Sequence, residues 1–109
     1  MKEKKMDPPI QGQYYMHESV GVYCCRACQT PLFSSAGKFY SGSGYPSFDR
    51  CLPGAVQLSD GLERGRAVHC SACEAFLGRL IRDEAFTDTH HRYDINSSAL
   101  QFRAGPSDV

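Results

Sequence analysis

A mainly β domain with little helix is the fold class this sequence predicts. Three observations carry that expectation. Short runs rich in Val, Ile, Phe and Tyr recur along the chain. Gly, Pro, Ser and Asp punctuate them as turn residues. Two Cys-x-x-Cys pairs stand at the ends of two of these runs, where a strand would hand over to a tight turn. The chain has 109 residues, room for one domain. A domain of that size buries only about 60–70% of its unfolded surface, so a staple would help it.

Taken in order, residues 1–20 read as an N-terminal arm, residues 21–103 as the folded body and residues 104–109 as a tail. Pro8 and Pro9 exclude helix from the arm and favour an extended path. Gly21-Val22-Tyr23-Cys24-Cys25 reads as a strand entering the first knuckle. Pro31-Leu32-Phe33 and Lys38-Phe39-Tyr40 bracket a turn at Ser34-Ser35-Ala36-Gly37. Ser41-Gly42-Ser43-Gly44-Tyr45-Pro46-Ser47-Phe48 is a Gly-rich loop closed by two aromatics. It lacks the Lys and following helix of a phosphate-binding loop. Residues 49–65 read as loops around a short strand at Ala55-Val56-Gln57-Leu58. Ala67-Val68-His69-Cys70 leads into the second knuckle. Phe76 to Ile81 and Arg92 to Ile95 are expected strands, with Asp83 to His90 a polar loop between them. Asn96-Ser97-Ser98-Ala99-Leu100 offers a capped start for a brief turn, and the pattern fades at Gly105-Pro106.

Charge narrows the function. Lys plus Arg total 12 and Asp plus Glu total 12, for a net charge of +0. Nucleic-acid binding needs a basic excess, and Arg64-Gly65-Arg66 is the only cluster, so no nucleic-acid partner is expected. No apolar stretch approaches the roughly 18 residues of a membrane span. The charged start, with no apolar run behind it, points to a cytoplasmic protein and not a secreted one.

The six cysteines are Cys24, Cys25, Cys28, Cys51, Cys70 and Cys73. The two-residue gaps in Cys25–Cys28 and Cys70–Cys73 let each pair turn its thiolates toward one cation. Together they make a closed Cys₄ set, expected to hold structural zinc with no open position for catalysis. Two disulfides or a redox dithiol would be the other uses of such pairs. The long separation, residues 29 to 69, implies that the knuckles staple distant strands. Cys24 and Cys51 remain as small apolar filler or as reactive thiols.

Several motifs resemble the methionine-R-sulfoxide reductase B (MsrB, SelR) family, over residues 8–103. They are Gly21-Val22-Tyr23, Pro31-Leu32-Phe33-Ser34-Ser35, Lys38 through Phe48, the second knuckle with Leu77-Gly78, and Arg92 through Phe102. The resemblance implies a pair of antiparallel sheets with zinc on the knuckles. It also implies a site at which Asp94 stands in the position of the nucleophilic Cys or selenocysteine. Phe76 and Arg79 stand where two histidines would flank Leu-Gly, and Tyr45 stands for the tryptophan that cups the substrate methyl. Ser43 stands where some members carry another Cys, while Arg92 and Asn96 match. A carboxylate is a poor nucleophile toward sulfur and cannot form a sulfenic acid. The expected site is therefore Asp94 paired with Arg79, in a pocket of Tyr45, Phe48, Phe76, Arg79, Arg92 and Asn96, with Tyr93 nearby. The expected role is a catalytically inactive monomeric module that binds a methionine sulfoxide-like, peptide or small-molecule ligand. The alternative is an active reductase using a displaced thiol such as Cys51, with His90 and His91 as acid–base partners.

Overall fold

In the computed structural model the described residues are 6, 14, 17, 19–60, 65–82 and 91–105. Strand β1 (Gly21–Cys25) pairs antiparallel with β2 (Pro31–Ser34) on one side. On its other side lies β9 (Leu100–Ala104), in the sheet order β2-β1-β9. The second sheet has six strands in the order β3-β4-β8-β7-β6-β5. These are β3 (Lys38–Phe39), β4 (Ser47–Phe48), β5 (Val56–Ser59), β6 (Arg66–Cys70), β7 (Phe76–Arg82) and β8 (His91–Ile95). Two single 3-10 turns, Ser35–Gly37 and Ser97–Ala99, are the helical elements among the described residues. The expected mainly β class with two antiparallel sheets is what forms.

The expected turn at Ser34–Gly37 does not close a hairpin. β2 pairs with β1, β3 pairs with β4, and the turn carries the chain from one sheet to the other. Ser34 caps it by accepting the Ala36 N–H at 3.1 Å. Two strands lie where none was expected. β4 forms inside the Gly-rich loop because Ser47 and Phe48 find register partners in Asp94 and Tyr93. β9 carries a period-2 pattern, with Leu100 buried, Phe102 half-buried and Gln101 and Arg103 facing outward, and it extends to Ala104.

The core lies between the sheets. Tyr23, Leu32, Phe33 and Leu100 come from the three-stranded sheet; Phe48, Val68, Leu77, Leu80 and Ile95 come from the six-stranded one. Phe33 and Phe48 stack across the interface with centroids 4.5 Å apart and planes 17° apart. Such a pair contributes about 0.5–1.5 kcal/mol beyond the area it buries. Phe48, expected to line a pocket, is fully buried here and belongs to the core. Period-2 alternation is the reason. Ser47 shares a face with Asp94, so its neighbour Phe48 must point the other way.

Two residues of the arm, Tyr14 and His17, lie on the body. The Tyr14 N–H donates to Ser97 Oγ at 3.2 Å, and its hydroxyl accepts from the Phe102 N–H at 3.1 Å. His17 Nδ1 is 2.7 Å from the Tyr23 hydroxyl. The expected polar loop at 83–90 and most of the arm lie outside the described residues.

Candidate functional site

Both knuckles are built from the same local geometry. After β1 the Gln29 N–H donates to the Cys25 carbonyl at 2.7 Å, and the Cys25 N–H donates to the Thr30 carbonyl at 2.8 Å. At the β6–β7 connection, Glu74 N–H to the Cys70 carbonyl (2.8 Å) and Cys70 N–H to the Ala75 carbonyl (2.9 Å) repeat that pattern. Gln29 and Glu74 take the same left-handed backbone, φ 68° and 67°. Each knuckle is thus a preformed turn. One ends a strand of the three-stranded sheet, and the other belongs to the six-stranded sheet.

The four ligand sulfurs lie within 4.8 Å of one another. Cys25 and Cys73 Sγ are 3.7 Å apart, and Cys28 and Cys70 Sγ are 3.6 Å apart. Four thiolates about 2.3 Å from a tetrahedral zinc ion would be about 3.8 Å from each other, so this set fits such an ion. Burial pushes the Cys25 thiol up to about 12 and raises Cys70. The hydroxyl and backbone N–H of Thr30 hold Cys28 down at about 6. A cation seated among them supplies the charge that lets the buried pair ionise. The expected Cys25, Cys28, Cys70 and Cys73 are therefore brought together as a set that can hold a metal ion.

The second site is built on one face of the six-stranded sheet. On β8, Arg92 and Asp94 share a face while Tyr93 and Ile95 point to the core. Asp94 sits between Ser47 of β4 and Arg79 of β7 in register. Its carboxylate has 0% exposure. Oδ2 accepts from Arg79 Nε at 3.4 Å and Nη2 at 3.3 Å. Oδ1 accepts from Ser47 Oγ at 3.0 Å and Ser43 Oγ at 3.3 Å, and Arg92 Nε lies 3.1 Å away as an ion pair. A buried carboxylate is costly unless paired and hydrogen-bonded, and here it is both. The expected Asp94–Arg79 pairing is present.

Around this charge cluster, the Arg79 guanidinium lies 5.4 Å from the centroid of the Tyr45 ring, within cation–π range. Ser41 Oγ joins Ser43 and Ser47 at 2.9 and 2.7 Å, extending the hydroxyl network toward the surface. Gly42 and Gly44 supply positive φ, 78° and 91°, on either side of Ser43, so the loop can aim its hydroxyl at Asp94. β7 approaches closely because residue 78 is Gly: a Cβ there would run into the Asp94 carbonyl. Asn96 is buried, and its N–H donates to the Leu77 carbonyl at 2.8 Å. Phe76 is buried edge-on to His69 with centroids 5.8 Å apart. Ser41 and Ser47 were not singled out from sequence. The signal that finds them is the β4–β8 register, which no local pattern contains.

The thiols outside the cluster lie elsewhere. Cys51 packs against the core beside the Tyr93 side chain. Tyr93 and Asp94 are neighbours on a strand, so that contact is on the face opposite the carboxylate. His91 meets Tyr93 edge-on at 6.4 Å on the same side, and His90 lies outside the described residues. Cys24 is buried in β1, and burial raises its thiol.

Comparison with known proteins agrees with this architecture. A family model described as the SelR domain matches residues 1–104. A peptide methionine sulfoxide reductase MsrB of Burkholderia mallei (strain SAVP1) is 40% identical over 105 residues, covering 92% of this chain and 73% of that protein. The MsrB of Thioalkalivibrio sulfidiphilus (strain HL-EbGR7) is 42% identical over 103 residues, covering 90% and 74%. Peptide methionine sulfoxide reductase B9 of Arabidopsis thaliana is 38% identical over 104 residues, covering 94% and 73%. Among solved structures, the crystal structure of the Mis18 'Yippee-like' domain superposes with a TM-score of 0.64 at 16% identity. It covers 82% of this chain and 100% of its own, a likeness of fold alone. By the extent of the family match and by these relatives, the chain belongs to the SelR domain family.

Proposed function

We propose that this SelR domain binds a methionine sulfoxide-like group, free or in a peptide, without reducing it, and that its Cys₄ set holds structural zinc. One observation carries the first part. The position that the family resemblance assigns to the nucleophile is a carboxylate with 0% exposure, engaged by Arg79, Arg92, Ser43 and Ser47. Thiol-based sulfoxide reduction needs a thiolate that attacks the sulfoxide sulfur, takes up its oxygen as a sulfenic acid and releases the thioether. A buried, ion-paired aspartate offers neither step. Cys51, the alternative nucleophile, contacts Tyr93 on the other side of β8. For binding, the Arg79 side chain retains 20% exposure and lies over the Tyr45 ring, itself 8% exposed, so a partly accessible guanidinium borders an aromatic side chain. A sulfoxide oxygen would accept from that guanidinium while its methyl rests on the ring. The cluster of four sulfurs fits a structural zinc site, the use of paired Cys-x-x-Cys motifs expected of a protein of the reducing cytoplasm.

The test is turnover and binding on the purified chain. With a thiol reductant and a methionine-R-sulfoxide peptide, we expect no reduction and calorimetric binding that weakens on Arg79→Met. Measurable turnover would overturn the inactive reading, and loss of that turnover on Cys51→Ser would establish the displaced thiol. Absence of binding to the peptide would overturn the module.

A further inference from the structure

We infer that the four knuckle cysteines can staple the two sheets in either of two redox states: around zinc when reduced, and as two cross-knuckle disulfides when oxidised. Three observations lead there. The four ligand residues are graded in exposure: Cys25 and Cys70 are buried, Cys28 is half-buried and Cys73 is exposed. Cys73 is therefore the ligand residue nearest the side from which an oxidant in solution arrives. The neighbour in line with Cys73 is Cys25 of the other knuckle at 3.7 Å, which leaves Cys28 and Cys70, also from opposite knuckles, 3.6 Å apart. Closing either pair to a disulfide of about 2.0 Å moves each sulfur by only about 0.8 Å.

The topology supplies the consequence. Cys25 ends β1 of the three-stranded sheet, while Cys70 and Cys73 belong to the β6–β7 connection of the six-stranded sheet. Disulfides within each knuckle would close two small loops and leave the sheets unlinked. Disulfides between knuckles keep the link that the metal makes. The first knuckle is also bonded to the segment after β8: Arg26 N–H donates to the Ala99 carbonyl at 2.9 Å, and its Nε donates to the Ser98 carbonyl at 3.0 Å. A staple that survives oxidation holds that segment, and with it the strand carrying Asp94, in place.

The oxidant is a peroxide. A zinc-bound thiolate of Cys73 attacks one peroxide oxygen, the O–O bond breaks, and hydroxide leaves a sulfenic acid on Cys73. The Cys25 thiolate then attacks that sulfur and expels a second hydroxide, forming the Cys25–Cys73 bond. A second peroxide does the same for Cys28 and Cys70. Two peroxides and one zinc tetrathiolate thus give two disulfides, four hydroxides and one Zn²⁺, with sulfur oxidised, peroxide oxygen reduced and the metal unchanged in charge.

The experiment uses the zinc-loaded full chain, titrated with hydrogen peroxide. Released zinc is followed with a chromogenic chelator, free thiols are counted, disulfides are mapped by peptide mass spectrometry, and thermal melts are recorded. We expect one zinc released per two peroxides. Four of six thiols should be lost, leaving Cys24 and Cys51 free, with Cys25–Cys73 and Cys28–Cys70 bridges and a cooperative melt. The reduced, chelated protein should show no cooperative melt. Cys73→His, which keeps a zinc ligand but removes the sulfur of the exposed residue, should slow zinc release at least several-fold. Bridges within the knuckles, an oxidised form that melts like the reduced metal-free chain, or a chain that takes up no zinc would each overturn the inference.

Discussion

Replacing Arg79 by Met keeps an unbranched stem over Tyr45 and removes the two N–H groups that reach Asp94 Oδ2 at 3.4 and 3.3 Å. Oδ1 keeps Ser47, Ser43 and Arg92, so the damage falls on one oxygen of a carboxylate with 0% exposure. Removing one partner from a fully buried ion pair costs about 3–5 kcal/mol. Two features pull this case below that range. The contacts are long for charge-assisted bonds, and Arg79 is 20% exposed, so water can reach the vacated oxygen. We expect about 2 kcal/mol, which in a domain of this size lowers Tm by about 8 °C. Asp94→Asn should cost about 3 kcal/mol, because Arg92, with 8% side-chain exposure, then faces an amide in place of an anion. The double variant should show a coupling of about 1–2 kcal/mol. Urea unfolding followed by circular dichroism, with reductant and zinc held constant, measures all three. If Arg79→Met falls within about 0.5 kcal/mol of the parent and the changes simply add, the carboxylate does not depend on its cation and the electrostatic account of this site fails.

Other outcomes test separate parts of the structure. Chelation under reducing conditions should abolish cooperative unfolding, since a closed thiolate site couples metal to folding; a metal-free chain with an unchanged melt would contradict the staple. Phe48→Ala should cost about 3–5 kcal/mol, as for a buried aromatic, whereas a pocket residue at a surface would cost little. Gly78→Ala should destabilise by about 3 kcal/mol or more because its Cβ meets the Asp94 carbonyl and the Ile95 backbone; heteronuclear spectra should show shifts centred on β7 and β8. Burial and the Cys51 contact raise the Tyr93 hydroxyl to about 12, from an unfolded value of 10.0. The unfolded chain therefore releases this proton first, and stability should fall as pH rises from about 10 to 12. Tyr93→Phe should flatten that part of the pH profile in urea titrations.

Local chemistry made much of this protein legible in its sequence. Short runs of β-branched and aromatic residues bounded by turn residues marked β1 to β3 and β5 to β8, because such side chains pack well on a pleated strand. The Cys-x-x-Cys spacing marked all four members of the thiol cluster because a tight turn and a tetrahedral cation leave little other use for it. Asp94 and Arg79 were marked as partners by the family resemblance, which sets their positions face to face, and a buried carboxylate there requires a counter-charge. What tertiary structure alone decided was which face each residue joined. Phe48 looked like a neighbour of Tyr45 along the chain, yet pairing of Ser47 with Asp94 turned it into the core against Phe33. Cys51 followed the same loop, yet it meets Tyr93 on the far side of β8 from the carboxylate. Ser41 and Ser47 became part of the Asp94 network through a two-residue strand too short to leave a periodic signal. Propensity and spacing act over a few residues. Register is set by hydrogen bonds between strands remote in sequence, and a shift of one residue would have exchanged the core and site faces of β4.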